Sequence, residues 1–332
     1  MNMQAAIVDF NKGILSVREI ARPEPGKGQV LVRIVSSGVN PLDSKIRTGK
    51  APHARVQPPA ILGTDLAGIV ESLGQGVTQF RAGDQVYGFT GGVGNVQGSL
   101  AEFAAVDAAL LGRKPANVTM REGAALPLVL LTAWEGLVDR AQVKAGDTVL
   151  VTGGTGGVGH IVVQLAKALG ATVFATASAA KHGLVQELGA TPIDRETPAA
   201  EILESYAEGK GFDVVYDTVG GAPLDTAFQV VRDYGQVVSC YGWGTHDLKA
   251  LSRHGASYSG VFVLLPILTG NGKAHHGEIL REATRLVEAG KIMPILDPRQ
   301  FTLETANEAH AAVGQGGSGK IVVDIGGPWP QA

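Results

Sequence analysis

The chain has one cysteine, no long apolar run and no excess of charge of either sign. Cys240 has no intrachain disulfide partner among the 332 residues, so we expect a reducing, cytoplasmic setting. No apolar run reaches the roughly 18 residues of a membrane-spanning helix, and the first residues lack a signal-peptide pattern. Lys and Arg total 28 against 31 Asp and Glu, and they form no basic stripe, so neither a membrane nor nucleic acid is an expected partner.

The sequence is rich in glycine and in apolar residues, which places it among globular proteins. It contains 46 glycines, and 45% of its residues are hydrophobic. Apolar strand-like runs lie between the glycines, so tight turns explain the glycine content better than disorder does. At about 100–200 residues per domain, this length predicts two domains.

The hydrophobic pattern changes along the chain. Up to about residue 122, short β-type runs such as 29–35, 67–71 and 84–88 are broken by glycine and proline, as in antiparallel β-rich domains. Beyond that point the pattern predicts an α/β domain with a doubly wound parallel sheet, in which strands alternate with helices. The predicted strands are 148–151, 172–175, 213–216 and 236–239, and the predicted helices lie near 159–169, 181–188 and 222–232.

The end of the chain predicts three more elements. These are an apolar edge strand at 260–265, an amphipathic helix across 279–287 that ends at Gly290, and a last strand at 320–325. We therefore predict that a dinucleotide-binding domain of residues 123–266 is inserted into a β-rich domain made of residues 1–122 and 267–332.

A glycine-rich turn joins the strand at 148–151 to the following helix. Gly154, Gly156 and Gly159 fit the pattern G-x-G-x-x-G, and a second strand follows at the spacing of a βαβ unit. Glycine permits a tight turn and close approach of the backbone to a pyrophosphate, whose charge meets the free N–H groups of the helix start. The turn predicts a nicotinamide dinucleotide site; a glycine turn that binds nothing is the alternative.

The residues after the second strand of this unit favour NADPH over NADH. NAD-binding units place an acidic residue there to hold the ribose hydroxyls. Residues 175–181 contain no carboxylate, whereas Ser178 can donate to a 2′-phosphate and Lys181 can pair with its charge. The alternative is that Ser178 caps the next helix and Lys181 is merely solvated.

Several motifs together resemble the medium-chain dehydrogenase/reductase superfamily, in its zinc-independent quinone oxidoreductase branch. They are residues 38–49 (GVNPLDSKIRTG), 63–70 (GTDLAGIV), 83–88 (GDQVYG), 126–134 (LPLVLLTAW), the glycine turn and 319–323 (GKIVV). The resemblance covers nearly the whole chain. It implies a GroES-like β-rich catalytic domain beside a Rossmann-type domain.

The resemblance also implies roles for particular residues. Asn40 would lie near the nicotinamide, and Thr132 would contact its ribose or the adjoining phosphate. Gly156, Gly157 and Val158 would line the pyrophosphate. The other residues expected at the cofactor are Tyr241, Gly242, Phe262, Val263 and Lys320. Lys45 stands where many members have Tyr, and the motif Asn-Pro-x-Asp-x-Lys is closer to the enone-reducing members.

Metal ligands and hydrolytic groups are poorly represented. Zinc-dependent relatives carry a cysteine in the turn that here reads 40–43, and a His-Glu pair where this chain has Thr64 and Asp65. We predict no metal site, because the adjacent His275 and His276 fit a solvated loop better than a pair of ligands. Ser99, His53 and Asp65 lack any nucleophile motif around them, so a catalytic triad is not expected.

These observations predict a reductase that transfers hydride from NADPH to a quinone or to an α,β-unsaturated carbonyl without zinc. Asn40, Lys45 and Tyr241 are the candidate donors to the substrate oxygen, and the roles of Asp43 and Asp65 remain open. For Asn40, Asp43 and Lys45 the alternative is a surface ion pair. Two alternative functions are a zinc-type alcohol dehydrogenase and a non-catalytic NADPH-binding protein.

The apolar run at 260–265 predicts a homodimer formed by pairing of edge strands.

Overall fold

The computed structural model describes residues 1–313, 315 and 319–326. Its contacts divide the described chain into two units. Unit 1 comprises residues 1–128, 264–288 and the described residues from 294 onward; unit 2 comprises residues 129–263 and 289–293. The boundaries inferred from sequence, 122/123 and 266/267, lie a few residues away, and residues 314, 316–318 and 327–332 of the expected β-rich domain lie outside the described residues.

Unit 1 holds two mainly antiparallel sheets. The smaller has the order β2-β1-β4, and the larger has the order β15-β16-β3-β5-β6-β8, with β7 also paired to β3. The strands are β1 Asn2–Asp9, β2 Ile14–Ala21, β3 Gln29–Val39, β4 Ala60–Ile61, β5 Asp65–Leu73, β6 Gln85–Phe89, β7 Phe103–Asp107, β8 Leu111–Arg113, β15 Phe301–Thr302 and β16 Ile321–Asp324.

Short helices complete unit 1. They are α1 Pro41–Arg47, α2 Met120–Ala124, α9 Leu265–Thr269, α10 Lys273–Glu288 and α11 Ala306–Ala312, with 3₁₀ turns at Pro52–Ala54 and Ala108–Leu110. In α10 the predicted apolar face is confirmed: Ile279, Leu280, Ala283 and Val287 are buried, Leu286 is half-buried, and Gly290 follows with a positive φ of 66°.

Unit 2 is built on a six-stranded parallel sheet. Its strands are β9 Thr148–Thr152, β10 Thr172–Ala177, β11 Thr191–Asp194, β12 Phe212–Asp217, β13 Val231–Ser239 and β14 Ser257–Gly260. Their order is β11-β10-β9-β12-β13-β14, which in sequence order within the unit is the Rossmann order 3-2-1-4-5-6. Strands buried on both faces are read from sequence as continuous apolar runs, which is why the central strands were predicted correctly.

The helices of this region precede the first strand of the sheet or run between its strands. They are α3 Pro127–Trp134, which continues as a π-helical segment Glu135–Arg140, then α4 Gly159–Ala168, a 3₁₀ turn Ala179–Lys181, α5 His182–Glu187, α6 Ala199–Tyr206, α7 Ala222–Val230 and α8 Lys249–Arg253. Among the helices that the structure describes, none combines the length and apolar character needed to cross a bilayer.

The predicted edge strand at 260–265 is wrong. The last strand of the sheet, β14, ends at Gly260, and Leu265 already begins α9. Val261, Val263 and Leu264 are between 5% and 9% exposed, so this apolar run packs inside the single chain. The run therefore presents no apolar strand edge for a second subunit, and the basis given for the homodimer is removed.

Candidate active site

The glycine turn after β9 has a geometry that larger residues would not permit. A Cβ on Gly159 would lie 2.1 Å from the carbonyl oxygen of Gly153, and one on Gly154 would lie 2.5 Å from the Cβ of Ala175. Gly153 has a φ of +68°, which disfavours residues with a Cβ. The Gly154 N–H donates to the Thr176 carbonyl at 3.0 Å, which fixes the turn against β10.

The turn leads into α4, whose N-cap residue, Val158, provides no side-chain capping hydrogen bond. Gly156 and Gly157 are exposed. The Gly156 N–H already donates to the Gly153 carbonyl at 2.9 Å, so Gly157 is the residue of this pair whose N–H is better placed for a ligand. The first N–H groups of a helix carry partial positive charge and bind phosphate well. The cradle formed by Gly154, Gly156, Gly157 and Val158 stays a predicted site for a dinucleotide pyrophosphate, and its place at the start of α4 supports that prediction.

Ser178 and Lys181 follow β10 at the same edge of the sheet. Ser178 begins the 3₁₀ turn, but its hydroxyl accepts no capping hydrogen bond, so the capping alternative for this residue is not what the structure shows. Within the described chain no ion pair involves Lys181, and its side chain is half-buried. Both side chains remain available for an anionic group at this point.

Tyr241 and Gly242 follow β13, where a buried carboxylate organises the backbone. Asp217 at the end of β12 accepts hydrogen bonds from the hydroxyls of Thr152 and Ser239, each at 2.7 Å. The Ser239 hydroxyl in turn accepts the Tyr241 N–H at 3.0 Å. The side chain of Tyr241 is 40% exposed. Sequence reasoning missed Asp217, although its place after the apolar strand 212–216 was a usable signal.

Phe262 and Val263 follow β14. The Phe262 ring meets Trp243 edge to face, with 6.2 Å between ring centroids, whereas Val263 is buried. Because all six strands are parallel, the predicted cofactor residues after β9, β10, β13 and β14 share the carboxyl edge of the sheet. In doubly wound sheets ligands bind at this edge, near the point where strand order reverses, here between β9 and β12.

Thr132 lies on α3 rather than after a strand. It is 4% exposed, and its carbonyl oxygen accepts the Tyr216 hydroxyl at 2.6 Å. Burial raises the pKa of Tyr216 well above its usual value, so this hydroxyl stays a donor at neutral pH. A contact of Thr132 with the nicotinamide ribose remains a prediction.

In unit 1 the structure places Asn40 inside a buried polar cluster. Asn40 is 1% exposed and directly precedes α1. Its amide nitrogen donates to the Thr64 hydroxyl at 3.0 Å and to the Asp65 carboxylate at 2.9 Å, and its amide oxygen accepts the ammonium of Lys320. Both amide hydrogens of Asn40 are donated within the cluster, which they help to hold together, and the expected role of Asn40 as a donor to substrate oxygen stays a prediction.

Two carboxyl groups complete this cluster. Asp43 accepts the Asn40 N–H at 2.7 Å, and Asp65 accepts the Leu128 N–H at 2.9 Å and lies 4.0 Å from the Lys320 ammonium. Burial raises the pKa of Asp43 to about 7 and that of Asp65 to about 6, and it lowers the pKa of Lys320. The cluster brings together three residues that the sequence marked separately, at positions 40, 65 and 320.

Lys45 is half-buried on α1. It is close enough to His53 to lower the pKa of that imidazole, although desolvation is the larger cause.

The Ser99 pattern considered in the sequence does not form a catalytic triad. The Ser99 hydroxyl is bonded to Ser37 at 2.7 Å and to the Asp65 carbonyl at 2.8 Å, an arrangement that involves no histidine. Throughout the described residues, no group of three His, Cys, Asp or Glu side chains has the geometry of a metal site.

Comparison with known proteins gives the family. Residues 26–116 match the alcohol dehydrogenase GroES-like domain, and residues 188–323 match the model described as zinc-binding dehydrogenase. The chain belongs to the medium-chain dehydrogenase/reductase superfamily.

Individual relatives span nearly all of the chain. The chloroplastic NADPH-dependent alkenal/one oxidoreductase of Arabidopsis thaliana is 36% identical over 92% of this chain and 74% of its own length. The quinone oxidoreductase of Homo sapiens is 29% identical over 93% of each chain. A solved structure of an alcohol dehydrogenase superfamily protein from Novosphingobium aromaticivorans is 53% identical, covers 98% of this chain and 100% of its own, and superposes with a TM-score of 0.96.

Proposed function

We propose that this protein is an NADPH-dependent reductase of quinones or of α,β-unsaturated carbonyl compounds. The likeness across almost the whole chain to relatives named alkenal/one oxidoreductase and quinone oxidoreductase carries the proposal. The glycine cradle in a sheet of Rossmann order supports the nicotinamide part of it.

NADPH is the proposed cofactor because the end of β10 offers a hydroxyl and a cation but no carboxylate. A 2′-phosphate would meet Ser178 and Lys181, whereas the free ribose hydroxyls of NADH would find no acidic acceptor among residues 175–181. When bound, NADPH supplies the hydride.

The protein residues would orient the acceptor and stabilise charge on its oxygen. Addition of hydride to a conjugated carbonyl places negative charge on that oxygen, and N–H or O–H donors stabilise it. With the Asn40 amide already bonded, Lys45 and Tyr241 are the proposed donors. Hydrogen bonds from these donors stabilise the charge without a Lewis acid. The chain also lacks the cysteine and the histidine that the zinc-dependent motifs have at positions 40 and 64.

Two steady-state measurements test the proposal: oxidation of NADPH with quinones, enones and saturated aldehydes, and reduction of NADP⁺ with primary alcohols. We expect turnover of quinones or enones and little reaction of the saturated aldehydes and alcohols. Oxidation of alcohols with no reaction of enones or quinones would instead indicate an alcohol dehydrogenase, and inactivity across the panel would favour a binding protein.

A cytoplasmic location and a homodimer are further proposals. The single cysteine, Cys240, supports a reducing compartment. The exposed outer edge of β14 offers a short backbone surface for pairing with a second copy, in place of the buried run at 261–264. Sedimentation at micromolar concentration tests the dimer, which a monomer would rule out.

A further inference from the structure

Unit 1 contains a cleft of about 640 Å³ that none of the predicted site residues lines. Apolar side chains make up much of its wall, among them Phe10, Ile46, Pro52 and Val56. This volume and this kind of lining are typical of small-molecule sites, which add a few polar groups for specificity.

The described lining residues of the cleft include one positive charge, on Arg55, and no acidic counterpart. Arg55, Gln57 and Asn95 line it, and none of its described lining residues is Asp or Glu. Within the part of the chain that the structure describes, the Arg55 guanidinium has no ion pair or hydrogen bond. The segment 44–64 contains Lys45, Arg47, Lys50 and Arg55 but no acidic residue, so its charge favours an anion.

The wall that presents Arg55 is held by bonds between two loops. The Gln57 N–H donates to the side-chain oxygen of Asn95 at 2.8 Å, and the Gly94 N–H donates to the Ala54 carbonyl at 2.8 Å. Arg55 and Asn95 both adopt left-handed backbone conformations, with φ of 52° and 61°. Such conformations in residues other than glycine cost free energy and concentrate at functional sites.

Helix α1 connects the cleft with the candidate site. Ile46 lines the cleft, and it follows directly on Lys45, a proposed donor to the acceptor oxygen. Asn40 is the N-cap of α1, so six residues of helical rise place Ile46 about 9 Å along the axis from the buried cluster. An acceptor that reacts beside Lys45 would need to be elongated to extend into the cleft.

We infer that this cleft binds the acidic end of the substrate, so that the preferred acceptor is a conjugated carbonyl or quinone with an apolar chain ending in a carboxylate. The inference rests on the proposed function. The guanidinium of Arg55 would pair with the carboxylate through its two parallel N–H donors, and the apolar wall would cover the chain.

Matched substrates test this inference. An alkyl vinyl ketone whose chain ends in a carboxylate is compared with its methyl ester, over a series of chain lengths, as acceptors for NADPH. We expect the native protein to prefer the acid in kcat/KM. Arg55→Gln should lower the acid-to-ester ratio about 10–100-fold, the range of a charge-assisted hydrogen bond, and Arg55→Lys should recover part of it.

The control variant is Arg18→Gln, which removes the same charge from an exposed position on β2 and should leave the ratio unchanged. Arg55→Gln retains a side chain at the left-handed position, so the backbone strain is the same in both proteins. Thermal melting of each variant confirms that it is folded.

The outcomes separate this inference from the proposed function. Equal acid-to-ester ratios of kcat/KM in the native protein and in Arg55→Gln would overturn the anionic subsite. Turnover of either substrate would still support the proposed reductase function. If neither the acid nor the ester is reduced, and the quinones of the panel are not reduced either, the proposed function fails. Calorimetric binding of the saturated keto acid then decides the subsite: loss of binding in Arg55→Gln supports it, and absent or unaffected binding refutes it.

Discussion

Lys320 is the one cation in the described part of the buried cluster, and its removal offers a sharp test of that arrangement. The side chain is 5% exposed, donates to the Asn40 amide oxygen and lies 4.0 Å from the Asp65 carboxylate. Lys320→Met preserves most of the volume but leaves two carboxyl groups buried without a counter-charge. Removing one partner of a buried ion pair costs about 3–5 kcal/mol, because the other charge stays desolvated.

The loss of unfolding free energy in Lys320→Met should depend on pH. The direction of this dependence follows from the pKa values of the two carboxyl groups. Asp43 and Asp65 have folded pKa values of about 7 and about 6, above the ordinary 3.8. The folded state therefore holds more protons than the unfolded state between pH 4 and 7, and these groups lower the free energy of unfolding as the pH rises through that window. The Lys320 charge lowers both pKa values, so its removal raises them and extends the window upwards.

Thermal melting at pH 8 and pH 5 measures this effect. We expect Lys320→Met to lower the apparent Tm at pH 8 by on the order of 10 °C and by clearly less at pH 5, where protonated carboxyls need no cation. Lys114→Met is the matched control, because Lys114 is also buried but donates to the Pro115 and Val118 carbonyls, which do not titrate. The reasoning would be refuted if Lys320→Met had the same apparent Tm as the native protein at pH 8, or if its apparent Tm fell by the same amount at both pH values.

Two further predictions concern the cofactor and the metal. Lys181→Ala should weaken NADPH binding about 10–100-fold in a fluorescence titration and leave NADH binding almost unchanged, whereas the exposed Lys167→Ala should affect neither; native protein that binds NADH as tightly as NADPH would contradict the assignment. Elemental analysis should find far less than one zinc per chain, and dialysis against a chelator should leave the rate intact; stoichiometric zinc required for turnover would show that the site is wrongly assigned.

Elements whose local pattern is decisive could be predicted from the sequence. The central strands of the parallel sheet are continuous apolar runs, and the turn at 153–159 carries its own glycine signature. The apolar run at 260–265 was wrongly predicted to be a strand. An apolar run alone does not distinguish a strand from an irregular buried segment that leads into a helix. Pro266, near the start of α9, was the overlooked signal, since proline is favoured in the first turn of a helix.

The chemistry of the buried cluster could be anticipated only in part. The sequence marked Asn40 and Lys320 as site residues, but their hydrogen bond joins positions 280 residues apart, and no local pattern reports it. That contact makes Asn40 a structural link between distant parts of the chain, beside its predicted role at the substrate. The cleft beside Arg55 could not be predicted either, because it is formed by segments that are separate in sequence, around residues 10, 46–57 and 95.

The pairing of β3 has a consequence for the order in which the chain folds. One edge of β3 is covered by β7 at residues 29–33 and by β16 at residues 36–39, where Val39 faces Ile321. The second partner is synthesised only after the whole inserted sheet, so during translation unit 2 has nearly all of its residues while β3 still has an open hydrogen-bonding edge. Contacts of such long sequence separation form slowly, and open strand edges favour aggregation. We therefore expect nascent chains stalled before residue 320 to depend on chaperones, although their dinucleotide domain is already complete in its six strands.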